Sequence, residues 1–139
     1  MNEQQNVALI QKLYAAFERG DVQTILDNLA DDVQWTLEGP AIIPYAGTKT
    51  GPAQVLGFFQ ALAGTQSDLK LTTESFVAQG DTVAALGRYG ATVKATGKKF
   101  DSAVAHFFTI RDGKVARFLD FGDTAAMADA YAAKSAAAF

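Results

Sequence analysis

Between residues 69 and 121 apolar and polar side chains alternate in four successive stretches, 69–79, 82–94, 99–110 and 114–121, parted only by glycine-containing turns. A period of two over that length commits the second half of the chain to strands, and gaps this short make neighbouring strands antiparallel. The first half has the other period. Val7, Ile10, Leu13, Tyr14 and Phe17 recur at spacings of three and four behind Asn2, a capping residue. Gly20 ends that helix, and Asp21 caps a second with Val22, Ile25, Leu26 and Leu29 on one face. Val33, Trp35 and Leu37 alternate with polar neighbours as a short strand. Pro52 opens a third helix whose apolar side holds Val55, Leu56, Phe59 and Leu62. Residues 39–51 between them read as a long loop, a candidate lid carrying Tyr45. A last, Ala-rich helix follows Asp123, with an end expected to fray. Helices first and strands second is the α+β pattern, helices packed on one face of an antiparallel sheet.

Composition narrows the function classes. At 139 residues the chain is expected to form one domain, 1–139, and with 49% hydrophobic and 19% charged residues it is not disordered. A net charge of −3 argues against nucleic acid as a partner, since phosphate-backbone binding needs a basic face. There is no cysteine and only one histidine, His106, which excludes thiol catalysis and multi-histidine zinc sites. No run approaches the ~18 apolar residues of a membrane span. The N-terminus lacks the basic-then-apolar order of a signal peptide, so the expectation is a soluble, cytoplasmic protein that binds no membrane. Ten phenylalanines fit a phenylalanine-rich core or a greasy pocket.

Turn lengths decide which strand residues share a face. Read as three-residue loops, Arg111-Asp112-Gly113 pairs Val104 with Asp120 and His106 with Phe118, and Ala95-Thr96-Gly97 pairs Arg88 with Val104. A two-residue hairpin at Gly80-Asp81 pairs Thr73 with Arg88. One face then gathers Arg88, Val104, His106, Phe108, Phe118 and Asp120, with Leu86 and Val77; the other gathers Phe76, Tyr89, Phe107, Leu119 and Phe121. Asp120 and His106 become diagonal neighbours, roughly 7–8 Å apart at Cα. Arg88 lies in the same row as Asp120, roughly 9–10 Å away at the backbone, a gap a guanidinium spans. An acid, an imidazole and a guanidinium on an apolar wall suit proton transfer, because burial raises a carboxyl pKa while a cation restrains the rise.

The order of elements, and the stretches YAAFERGD (14–21), LADDVQW (29–35), PYAGTKTG (44–51) and AHFFTIRDGKVARFLDFGDTAAM (105–127), resemble the nuclear transport factor 2-like superfamily and its SnoaL-like branch. The resemblance covers nearly the whole chain and implies a cystatin-like cone, with N-terminal helices on a curved antiparallel sheet around an apolar pocket. In SnoaL-type polyketide cyclases an aspartate on the last strand is the acid–base, with a histidine fourteen positions earlier on the preceding strand. His106 and Asp120 match that spacing and placement. Ketosteroid isomerases of the superfamily match less well, since their catalytic aspartate and oxyanion-hole tyrosine align with Leu37 and Leu13. Limonene-epoxide-hydrolase-like enzymes use an Asp–Arg–Asp set, of which Arg88 and Asp120 would supply two members.

The resulting expectation is an acid–base enzyme acting on a hydrophobic, ring-containing carbonyl compound: an aldol-type cyclase, an isomerase or a related lyase. Asp120 would be general acid and base, His106 would bind the enolate oxygen or hold Asp120, and Arg88 would set the local charge. Tyr14, Trp35, Tyr45, Phe59, Val104, Phe108 and Phe118 would line the pocket. No cofactor or metal is implied. The alternatives are a non-catalytic ligand-binding or dimerisation module of the same fold and an epoxide-hydrolase-like enzyme. For His106 the competing role is a buried core histidine, and for Asp120 an ion pair with Arg88. An apolar patch of Phe76, Tyr89, Phe107, Leu119 and Phe121 on the outer sheet face points to a homodimer.

Overall fold

A computed structural model describes residues 1–133. Helix α1 (Glu3–Glu18) begins at Asn2, whose side chain accepts from Gln5 N while the Gln5 side chain accepts from Asn2 N, a reciprocal cap. Asp21 caps α2 (Val22–Asp27) through Thr24 N, and Pro52 lies in the first turn of α3 (Gly51–Thr65). The strands are β1 (Leu29–Leu37), β2 (Gly47–Thr50), β3 (Gln66–Gln79), β4 (Thr82–Val93), β5 (Lys99–Arg111) and β6 (Lys114–Gly122), and Asp123 caps α4 (Thr124–Tyr131). The expected fraying of the last helix concerns 134–139, which lie outside the described residues.

All six strands form one sheet, in the order β2-β1-β6-β5-β4-β3. The helices bury one face of it around Ile10, Leu13, Val55, Phe59, Val83 and Val115. Two expectations change. The sheet is mixed, because β1 runs parallel to β6 while every other neighbouring pair is antiparallel. The candidate lid is not an open loop either. Its C-terminal part is β2, paired to β1, and its middle is pinned by buried Ile43 and by Tyr45, which is 2% exposed.

The turns explain which faces were read correctly. At β5–β6 both Asp112 (φ 53°) and Gly113 (φ 77°) are left-handed, so the hairpin closes on two residues and pairs Arg111 with Lys114. That alone would turn Asp120 outward. One residue on, a bulge absorbs Ala116: Ile110 faces Val115 but Thr109 faces Arg117. The two changes cancel in parity, so Phe118 and Asp120 share a face with Phe108 and His106, and His106 stands directly opposite Asp120 rather than diagonal to it.

No such cancellation occurs at β4–β5. Gly97 (φ 72°) donates to Val93 O and Val93 pairs with Lys98, so the loop holds one more residue than expected. His106 therefore faces Ala85 and Val104 faces Gly87, and the faces of β4 are exchanged. Arg88 and Leu86 point outward; Tyr89 points inward and is buried. In β3 the Gly80-Asp81 hairpin is as expected, so Phe76, opposite Ala85, follows the exchanged faces of β4 inward, edge-on to Tyr14 at 5.9 Å, and Val77 is left exposed; a bulge lies farther along, between Thr73 and Ser75. Gly87 is required beside that bulge, because a Cβ there would lie 2.0 Å from the Thr72 carbonyl oxygen. The outer apolar patch thus loses Phe76 and Tyr89 and consists of Leu86, Phe107 and Phe121, the two rings packed edge-to-face at 5.8 Å, with Leu119 half-buried beside them.

Candidate functional site

Between the helices and the sheet lies a cavity of about 690 Å³ of atom-free space, its mouth included. Tyr14, Trp35, Tyr45, Phe59, Val104, Phe108 and Phe118 line it, together with His106 and Asp120. Its wall also includes Leu13, Phe17, Phe58, Leu71, Met127 and the inward-turned Tyr89. Arg88 is not among them. It sits on the outer face, 3.3 Å from Asp101, both side chains about half exposed or more (49% and 67%). Among the described residues no lysine or arginine lines the cavity. The group that stands beside Asp120 is therefore the His106 imidazole and not a guanidinium.

Three elements bring three polar groups together. α1 supplies Tyr14, β5 supplies His106 and β6 supplies Asp120. The Tyr14 hydroxyl lies 2.6 Å from His106 Nδ1, within hydrogen-bond distance, with the two ring planes 4° from parallel. Burial first, and the Asp120 charge second, push the Tyr14 pKa well above the ordinary 10.0, so the phenol keeps its proton and donates. This assigns the remaining proton of a neutral imidazole to Nε2, which lies 3.1 Å from Asp120 Oδ1. That approach lacks the alignment of a hydrogen bond, and Oδ1 has no other partner among the described residues.

Apolar rings hold these groups in place. Phe118 stacks on Trp35 with centroids 4.0 Å apart and packs against the imidazole at 5.2 Å, and Phe108 is edge-on to Tyr14 at 5.9 Å. Trp35 Nε1 is enclosed without a hydrogen-bond partner among the described residues. A second polar group borders the cavity, and the sequence reading missed it. Gln66, 2% exposed, donates from Nε2 to Tyr45 and Tyr131 hydroxyls, each 2.9 Å away, and accepts from Tyr89 at Oε1. Nothing local signals this cluster, whose four residues come from a loop, two strands and α4. No group of three or more His, Cys, Asp or Glu side chains is gathered as metal ligands among the described residues. None of their helices is long and apolar enough to cross a membrane.

The profile of the SnoaL-like domain matches residues 10–118. A search of curated proteins finds no match. Solved structures are similar over nearly their full length. An NTF2-like protein of unknown function from Burkholderia pseudomallei K96243 is 28% identical with a TM-score of 0.86, covering 96% of this chain and 100% of the other. TerC, co-crystallised with polyporic acid, is 29% identical with a TM-score of 0.83 over 91% and 98% of the two chains. A candidate SnoaL-like polyketide cyclase from Jannaschia sp. CCS1, 19% identical with a TM-score of 0.80 over 93% and 92%, shares the fold.

Proposed function

The chain belongs to the SnoaL-like domain family, and from that premise we propose that its cavity binds a hydrophobic, ring-containing carbonyl compound and moves a proton at the carbon next to the carbonyl. The observation that carries this reading is the Tyr14–His106–Asp120 series opening onto a mainly apolar wall. Asp120 acts as general base and then as acid. His106 holds its Nε2 proton toward Asp120, and Tyr14 fixes the tautomer that makes this possible. The reaction classes that need only these groups are aldol-type cyclisation, isomerisation and the related elimination. An epoxide-hydrolase-like reading loses its support, because the guanidinium of Arg88 is on the other side of the sheet. Polyporic acid, the compound co-crystallised with the 29% identical TerC, is itself a ring-containing carbonyl compound.

The site carries its own reporters. Trp35 and His106 are the sole residues of their kinds in the sequence, and both line the cavity. Titration with polyporic acid is expected to quench Trp35 fluorescence saturably and to shift the His106 ring resonances at the same ligand concentration. A fluorescence change that rises without saturation, with the imidazole signals unmoved, would refute binding in this cavity. Binding without any turnover would favour the non-catalytic module.

We further propose that the outer patch of Leu86, Phe107 and Phe121 pairs with a second copy of the chain across a two-fold axis. Light scattering coupled to size exclusion should give twice the 14.7 kDa chain mass at micromolar concentration, and Phe107→Lys should return it to the single-chain mass. A wild-type protein of single-chain mass would overturn the pairing.

A further inference from the structure

The hydroxyl protons around Gln66 do not all find acceptors within the protein. Thr65 donates to the Ala61 carbonyl at 2.6 Å, so the 2.8 Å contact between Thr65 and Tyr131 takes its proton from Tyr131. Tyr89 donates to Gln66 Oε1. The two protons of Gln66 Nε2 go to the oxygens of Tyr131 and Tyr45. This uses every donor except one. The Tyr45 hydroxyl has the Tyr131 hydroxyl for a neighbour but no acceptor within hydrogen-bond distance among the described residues, and Tyr45 is 2% exposed and lines the cavity. Reversing the Gln66 amide is not an equal solution, because Tyr131 would then donate to Gln66 and leave the Thr65–Tyr131 contact without a proton.

A buried donor left over in a cavity wall is costly unless something completes it. We propose that Tyr45 donates a hydrogen bond to a ring hydroxyl oxygen of the bound molecule, and so determines which carbon of the ring system is presented to Asp120. This rests on the proposed ring-carbonyl reading and narrows it. The ligand class becomes a flat ring compound that carries a ring hydroxyl besides its carbonyls, a carbonyl addressed by the Tyr14–His106–Asp120 series and the hydroxyl oxygen by Tyr45. Gln66 is the positioning residue, since its amide fixes the direction of the Tyr45 lone pair and thereby of the O–H. Burial, then the neighbouring phenols and the Asp120 charge, hold Tyr45 and Tyr89 above the ordinary tyrosine range, so both remain neutral.

The test compares polyporic acid with 2,5-diphenyl-1,4-benzoquinone, which keeps the rings and carbonyls and lacks the ring hydroxyls, using Trp35 fluorescence. The wild type is expected to prefer polyporic acid by about tenfold, the order of one hydrogen bond to an oxygen of anionic character. Tyr45→Phe should bind both quinones with affinities within about twofold of each other, while Tyr131→Phe, whose proton is used internally, keeps the preference. If Tyr45→Phe does not fold, the ¹³Cζ resonance of Tyr45 in the wild type gives the same answer, moving with polyporic acid and not with the deoxygenated quinone. A preference that survives in Tyr45→Phe, or a Tyr45 resonance equally moved by both, overturns this inference and leaves the ring-carbonyl reading standing. A wild type that binds neither quinone overturns both.

Discussion

Asp120→Asn is expected to fold and bind ligand like the wild type and to lose turnover by ~10²–10⁴-fold, the usual worth of a positioned general base. Asn reproduces the shape of Asp but takes no proton at neutral pH, so the substitution separates chemistry from packing. Stability should hold or rise slightly. Among the described residues the carboxylate oxygen nearest His106 has no aligned hydrogen bond, and a buried charge with so little support costs more than an amide. No guanidinium is stranded, because Arg88 pairs with Asp101 on the opposite face. Binding is read from Trp35 quenching, and turnover from wash-in of solvent deuterium next to the carbonyl of a compound the wild type processes. An Asn variant that retains full turnover would remove Asp120 from the catalytic role. One that binds normally but melts several kcal/mol lower would make it a structural partner of His106 instead.

Raising the pH above 10 should unfold the protein far more steeply than one titrating group allows. Tyr14, Tyr45 and Tyr89 all have pKa values raised above the ordinary 10.0, in each case chiefly by burial. The neutral phenols are thus favoured by the folded state, and what they contribute is fully present below pH 10. Above it the unfolded chain ionises all three while the folded chain does not. Each phenol then costs about 1.36 kcal/mol per pH unit, and three cost about 4, which would consume most of a typical ~5–15 kcal/mol stability within a few units. The check is absorbance of tyrosinate followed together with far-UV circular dichroism. Three phenols should ionise only as the helical signal is lost. Ionisation of all tyrosines near pH 10 with the fold intact would show that these side chains are not enclosed.

What the sequence made legible follows from where the information sits. Helix starts were readable because Asn2, Asp21, Pro52 and Asp123 act on their own first turns. The acid and the imidazole were placed on one face although the turn between their strands was misjudged, since the bulge at Ala116 offsets it. Arg88 was misplaced because a four-residue loop closed by Gly97 looks, residue by residue, much like a three-residue one, and one residue exchanges inside for outside. The Tyr14–His106 hydrogen bond was hidden because it spans ninety-two positions. The Gln66 cluster was hidden for the same reason, being assembled by tertiary packing and carrying no local pattern.

The surplus residue in β6 bears on how relatives of this chain are to be searched for. Ala116 occupies the bulge and faces no partner of its own, so a chain lacking it runs an unbroken ladder with the acid still opposite the histidine. The interval between the two side chains is then thirteen positions instead of fourteen, with the same geometry at the cavity wall. A pattern written with one fixed interval divides a single chemistry into two groups. The β4–β5 turn holds no such reserve: a gain or loss of one residue there rotates Tyr89 away from Gln66 and brings Arg88 in. Within this fold, hairpin length at one corner is silent, and at the next it exchanges a phenol for a cation.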